Sequence, residues 1–198
     1  MSENYYSILP DSPLGRLYLT AREESLSGLW FSGEVQEEML IQRGLRRQED
    51  IPVLVQAKDW LAGYFRGDAP DPAGLVLKPR GSRFQRMIWE MLLEIPYGQV
   101  TTYGWLAQRA GEMLNKPKMS AQAVGGAVGK NPISIIIPCH RVMGAGGNLT
   151  GYGGGLDRKL WLLKREGVDV GDFFMPRAGK YSRRGSCRDP RSLLEEII

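Results

Sequence analysis

The chain has 198 residues, 42% hydrophobic and 24% charged, which fits one large or two small globular domains and argues against disorder. No apolar stretch approaches the roughly 20 residues that span a bilayer, and the polar start MSENYY is not a secretory signal, so an intracellular protein is expected, cytoplasmic or nucleoid-associated in a prokaryote and nuclear in a eukaryote. The net charge of +4 is uneven, with 9 Lys/Arg against 12 Asp/Glu in residues 1–80 and 17 against 10 in residues 81–198, which suggests a polyanion-binding half or a merely soluble basic surface.

Tyr5, Tyr6 and Ile8, a turn rich in Pro10, Asp11, Pro13 and Gly15, then Leu17 and Leu19 in alternation predict a β-hairpin, with Leu26 to Phe31 as a third strand. From Val53 the period changes to that of a helix through Leu54, Ala57, Trp60, Leu61, Tyr64 and Phe65. The Gly/Pro/Asp-rich residues 67–81 predict a linker, placing domains at 1–80 and 81–176 and a basic tail at 177–198.

Ser82 and Gln85 stand at capping-box spacing before Phe84, Ile88, Leu92 and Ile95, the pattern of a helix buried on one side. Thr101 or Thr102 caps a second helix, expected to close at Gly111, and Ser120 caps a third from Ala121 to Gly129. The third helix holds Ala121, Ala123, Gly125, Gly126, Ala127 and Gly129, and each glycine costs about 1 kcal/mol against alanine in a helix interior. Close approach of its backbone to a large surface, or tight helix packing, would repay that cost. Two short helices in this order suggest a helix-turn-helix.

Ile133 to Ile137 is an apolar run leading into Pro138, Cys139, His140, Arg141 and Val142. Two cysteines, Cys139 and Cys187, and a single histidine cannot build a disulfide framework or a Cys/His zinc site, so no metal is expected. A thiol beside the sole imidazole is instead the ingredient set of an activated nucleophile, because the thiolate attacks; adjacent side chains diverge, so a bridging water would complete the pair. Gly144 to Gly155 completes no nucleotide-binding fingerprint and predicts a pocket-lining loop or a plain surface turn, with no cofactor. Leu156, Leu160 and Leu163 resume helix spacing, and Glu166 near that helix's C-terminus opposes the dipole, so an attractive partner such as His140 would account for it.

The hexapeptide IPCHRV, with AVGGAVGKNP before it and LTGYGGGLDRKLWLLKREG after it, resembles the O6-alkylguanine-DNA alkyltransferases. SPLGRLYLT, WLAGYF and FQRMIWEMLLEIPYGQVTTYG extend the resemblance over about residues 1–176. It implies an α/β (α+β) protein: a small ribonuclease H-like N-terminal sheet-and-helix domain and an all-helical, winged-helix or helix-turn-helix catalytic domain. The implied activity is a single-turnover transfer of an alkyl group from O6 of guanine, or O4 of thymine, to Cys139, by a monomer acting on double-stranded DNA with the damaged nucleotide flipped from the minor groove.

The resemblance also implies roles. Cys139, a water, His140 and Glu166 form a relay; Tyr103 crowds the phosphate and donates to the base ring; Asn131 links the recognition helix to the active-site strand. Tyr152 walls the pocket, the Gly153 N–H faces O6, and the carbonyls of Cys139 and Val142 accept from the exocyclic amine. Arg141 braces the loop. Ala121, Ala123, Gly125, Gly126 and Lys130 face DNA in the minor groove. The family's intercalating arginine falls here on Gln122, and the longer connection MLNKPKMS, with Lys116 and Lys118, would compensate through phosphates. A non-catalytic lesion sensor, which lacks the reactive cysteine in related proteins, and a sequence-reading regulator are the competing classes.

Overall fold

The computed structural model describes residues 4–116, 118–171, 173 and 174, so Cys187 and the basic tail from residue 177 lie outside the described residues. The described chain divides into two units, residues 4–80 with Pro132–Ile136, and residues 81–131 with 137–174.

In the first unit, β1 (Asn4–Leu9), β2 (Leu17–Arg22) and β3 (Ser25–Phe31) form the expected antiparallel meander. A bulge between Thr20 and Ala21 bends it, stitched by the Thr20 and Ser27 hydroxyls at 2.9 Å. Two short elements escaped the sequence reading: α1 (Glu37–Gln42) and β4 (Arg46–Arg47), the latter parallel to β1, which gives the order β3-β2-β1-β4. Alternation turns Tyr6, Ile8, Tyr18 and Trp30 to one face, where they cluster with Val35, Leu40 and Leu45. It leaves Leu17, Leu19, Leu29 and Phe31 for the opposite face, and α2 (Pro52–Arg66) packs on all three long strands. Proline at the first helical turn and left-handed Gly67 after the last set its ends. Full burial of Leu54 and Leu61 contributes about 1.5–3 kcal/mol each.

The outer edge of β3 is covered by two extended segments. Leu26 pairs with Leu77 inside the predicted linker, with Leu26 N–H donating to Val76 O at 2.8 Å. Leu29 pairs with Ile133, its N–H donating to Pro132 O at 2.8 Å and its carbonyl accepting from Ser134 at 3.0 Å. Pairing of this kind removes an exposed strand edge.

In the second unit, α3 (Arg83–Leu93) starts in the anticipated capping box, with both reciprocal Ser82–Gln85 bonds formed. Its buried stripe is Ile88, Trp89, Met91 and Leu92, and the Trp89 indole donates to the Ala127 carbonyl at 2.9 Å. Helix α4 (Tyr103–Met113) is capped by Thr102, whose hydroxyl accepts from Trp105 N–H at 3.1 Å. It continues past Gly111, where closure was expected; the Lys116 carbonyl would stand only 2.6 Å from a Cβ at Gly111, so close approach of the following loop explains that glycine. Helix α5 (Ala121–Gly129) is capped by Ser120 as expected, and it packs on α3 and α4. Strands β5 (Thr101–Thr102) and β6 (Val142–Met143) make a two-stranded parallel pairing, a small addition to an otherwise helical unit. Helix α6 (Leu156–Arg165) closes a cluster of Met143, Leu149 and Leu163. Among the described residues, no helix is long and apolar enough to cross a membrane.

Candidate active site

Cys139 opens a 3-10 turn, Cys139–Arg141, that follows Pro138 and leads straight into β6. The turn buries all three of its side chains. Asn131, fully buried after α5, donates from Nδ2 to the Ile137 carbonyl at 2.8 Å and to Cys139 Sγ at 3.1 Å. A donor to sulfur favours its charged form over the neutral thiol. The asparagine therefore both ties down the turn and addresses the nucleophile.

His140 and Glu166 meet as the sequence suggested, Nε2 to Oε1 at 2.7 Å, with both side chains fully buried. Burial holds the imidazole below its ordinary value of 6.5 despite the neighbouring carboxylate, and positive Arg141 and Lys159 push the same way. The contact is thus a hydrogen bond from a neutral ring to an anion. With its proton on Nε2, the ring keeps Nδ1 as its basic nitrogen. Burial raises the Glu166 carboxyl, but the hydrogen bonds and charges of His140 and Arg141 outweigh it and bring the group down to about 2.

Glu166 is held by more than His140. Arg141 donates Nε to Oε2 at 2.8 Å and Nη2 to Oε1 at 3.0 Å, and the Gly98 N–H reaches Oε2 at 3.2 Å. Gly98 sits at φ +75° with the Glu166 carbonyl 2.9 Å from where a Cβ would lie, so only glycine fits that turn. Next to it, Tyr97 donates its hydroxyl to the Arg165 carbonyl at 3.0 Å. The IPYG turn is therefore a clamp on the end of α6.

Lys159, one of the basic residues that flank the leucines of α6, is fully buried. Its Nζ donates to the Val142 carbonyl at 2.5 Å and the Thr150 carbonyl at 3.0 Å, so it fastens the glycine-rich loop to β6. Burial lowers its pKa to about 8, against an opposing pull from nearby Cys139. The Val142 carbonyl, expected to receive an exocyclic amine, thus already accepts one bond and keeps its second lone pair. Tyr103, at the first position of α4, is driven up to about 12 by burial and by Cys139, while a hydrogen bond from Thr150 lowers it; it stays a phenol at any physiological pH. Tyr152 is buried and presents its ring edge-on to His140, centroids 6.4 Å apart and planes at 84°. Gly153 is half-buried beside it.

The small-residue helix also becomes readable. Val124, Ala127 and Val128 face inward, whereas Ala121, Gln122, Ala123, Gly126, Gly129 and Lys130 are exposed and Gly125 is intermediate. A Cβ at Gly126 or Gly129 would meet nothing within 4 Å, and one at Gly125 only the Tyr103 ring at 3.8 Å. Helix packing therefore does not require these glycines. Lys116 and Lys118 are exposed in the loop before α5. Among the described residues, no group of His, Cys, Asp and Glu is arranged to hold a metal ion.

Comparison with known proteins agrees with this organisation. Residues 83–168 match the model of the 6-O-methylguanine DNA methyltransferase DNA-binding domain, and residues 4–77 match the ribonuclease-like domain of the same proteins. The chain is 42% identical over 168 residues to the methylated-DNA–protein-cysteine methyltransferase of Haemophilus influenzae, covering 85% of this chain and 89% of that one. Identity to its namesake in Methanosarcina acetivorans is 41% over 163 residues, or 82% and 98% of the two chains. Among solved structures, Mycobacterium tuberculosis OGT in complex with DNA matches at a TM-score of 0.69 and 39% identity, over 82% of this chain and 92% of that chain. With both family models matched and such identity over most of two relatives, the chain belongs to the 6-O-methylguanine DNA methyltransferase family.

Proposed function

We propose that the protein repairs DNA by direct reversal, moving one alkyl group from O6 of guanine to Cys139. The observation that carries this reading is a buried cysteine with an amide donor at 3.1 Å, adjoining a neutral histidine whose other partner is an anionic glutamate. The Cys139 proton passes through a water to Nδ1 of His140, and the imidazolium is steadied by Glu166. The sulfur attacks the alkyl carbon, a C–S bond forms, and the C–O6 bond breaks. Tyr103, a phenol throughout, donates a hydrogen bond to the departing base, which takes up one proton from solvent and leaves as guanine, while the proton held by His140 returns to solvent through the water. The thioether has no route back, so each molecule acts once and needs no cofactor.

In this reading residues 1–80 are a support domain, and residues 81–176 bind duplex DNA and act on it as a monomer, inside the cell. The nucleotide is extruded at a cost of a few kcal/mol, into a pocket walled by Tyr152, with the Gly153 N–H toward O6 and the carbonyls of Cys139 and Val142 toward the exocyclic amine. The test is incubation with a duplex containing O6-methylguanine, followed by mass mapping. One methyl increment on the Cys139 peptide, absent in Cys139→Ser, is expected; a protein that binds the lesion and stays unmodified would be a sensor instead.

The exposed face of α5 is assigned to the minor groove, because its glycines answer no demand of packing. Gly126→Ala should then raise stability by about 0.5–1 kcal/mol and weaken duplex binding. Thermal denaturation and a Kd measured side by side check it; a stabilised variant with unchanged affinity would take this face off the DNA. Gln122 cannot supply the charge of the family's intercalating arginine. Gln122→Arg should speed repair in duplex DNA several-fold and leave the reaction with free O6-benzylguanine unaltered, and equal duplex rates would remove that role.

A further inference from the structure

The Glu166 carboxylate is shared among several donors. Oε1 receives His140 Nε2 at 2.7 Å and Arg141 Nη2 at 3.0 Å; Oε2 receives Arg141 Nε at 2.8 Å and Gly98 N–H at 3.2 Å. A carboxylate offers about four acceptor positions, so these donors suffice to fill it. Arg141 is itself held from outside the pair: Nη1 donates to the Ile95 carbonyl at 2.6 Å, and the guanidinium lies 5.8 Å over the Tyr97 ring. The fork is therefore fixed before His140 is considered.

We propose that Arg141 is a positioning residue for alkyl transfer: by its two-pronged grip on Glu166 it keeps that carboxylate an orienting acceptor with little net field, so that His140 rests as a neutral base rather than an imidazolium. A bare buried carboxylate would orient the ring equally well, but its unopposed charge would favour the protonated ring, which cannot accept the Cys139 proton. An Arg–Glu pair presents a dipole in place of a full charge, and a guanidinium cannot itself lose its proton. Orientation and basicity are thereby separated: Glu166 selects the Nε2–H tautomer, and Arg141 leaves Nδ1 free of a pre-bound proton.

The other groups facing this histidine do not replace that effect. On its own turn stand Cys139 and Arg141; α6 contributes Lys159 and, at its end, Glu166; the loop before β5 brings Tyr97; α4 brings Tyr103 toward Cys139; and the glycine-rich loop brings Tyr152. Lys159 is cationic in the same sense as Arg141, but its ammonium is committed to the Val142 and Thr150 carbonyls. Arg141 acts on the carboxylate directly and through both oxygens.

The sole histidine makes the test direct, since ring nitrogen-15 NMR reads His140 without assignment. Wild type should show the Nε2–H tautomer with a midpoint below 6.5. Arg141→Met should raise that midpoint by at least about one unit, and the acid limb of the rate of reaction with O6-benzylguanine should move up with it. Arg141→Lys keeps the charge and should hold the midpoint near the wild-type value while losing part of the rate. An unchanged midpoint in Arg141→Met, with the rate lowered equally at every pH, would mean that Arg141 only braces the loop. If that variant does not fold, the wild-type spectrum and Arg141→Lys decide: a resting imidazolium at neutral pH, or a midpoint raised in Arg141→Lys as far as one expects for charge removal, overturns the proposal. The inference concerns the pathway proposed above, but the titration needs no alkyl transfer. A protein with the expected His140 behaviour and no methyl uptake would sink the repair reading and leave standing the control of His140 protonation by Arg141.

Discussion

Glu166→Gln is expected to slow alkyl transfer by about 10²–10⁴-fold and to destabilise the fold by about 3–5 kcal/mol. The two losses have different origins. The amide can accept from only one oxygen, so Arg141 is left with a buried positive charge and no anion to match it. Its NH2 group, turned toward His140, would make Nε2 an acceptor and move the ring proton to Nδ1, where a base is needed. Thermal denaturation reads the first effect and single-turnover rates at neutral pH read the second. Acid should reproduce the stability loss in wild type. Glu166 is held down at about 2 against 4.5 in the unfolded chain, so its contribution is complete above 4.5 and disappears as pH falls toward 2. His140, buried neutral, adds to this: its folded pKa lies below 6.5, so the unfolded state takes up that proton first and stability already declines below 6.5.

Lys159→Met should leave stability nearly unchanged and still slow the reaction at neutral pH by about tenfold or more. The near-neutral stability is the difference of two opposed terms. Keeping a buried ammonium whose pKa has moved from 10.5 to about 8 costs about 3 kcal/mol, and methionine removes that cost. Leaving the Val142 and Thr150 carbonyls without their donor costs about 1–3 kcal/mol each. The rate has no such compensation, because the Lys159 cation interacts with Cys139 and favours its thiolate. For wild type the sign with pH is fixed too. Between 8 and 10.5 the folded lysine is neutral while the unfolded one is charged, so this group's penalty fades and its share of stability rises with pH. An unaltered rate in a folded Lys159→Met protein would confine the lysine to holding the loop.

Much of this was legible in the chain, and the reasons for the rest are local. The capping box at Ser82, the caps at Thr102 and Ser120 and the alternation of β1 to β3 are short-range signals, and each produced its element. Helix α1 has six residues and β4 two, too few for any periodicity to emerge. Gly111 resembled a helix stop because a close approach by a later loop and a left-handed cap ask for the same residue. Cys139, His140 and Glu166 stood out by chemical type, whereas Lys159 did not, although it lies three residues after Leu156 and four before Leu163 on the apolar side of α6. A lysine on that stripe is the signal that would have found it. The grip of Arg141 and Gly98 on Glu166 joins parts of the chain far apart in order, and no spacing rule reaches so far.

The strip Pro132–Ile136, which completes the edge of β3, has a consequence for how the protein is made. A ribosome releases residues 4–80 long before this strip, so the N-terminal sheet emerges with the Leu29 part of one border still unzipped and must wait through most of the helical segment for its last extended segment. During that interval the bare border is open to other nascent chains. Dividing the gene after residue 80 would make the wait permanent unless the missing five residues were supplied as a separate peptide.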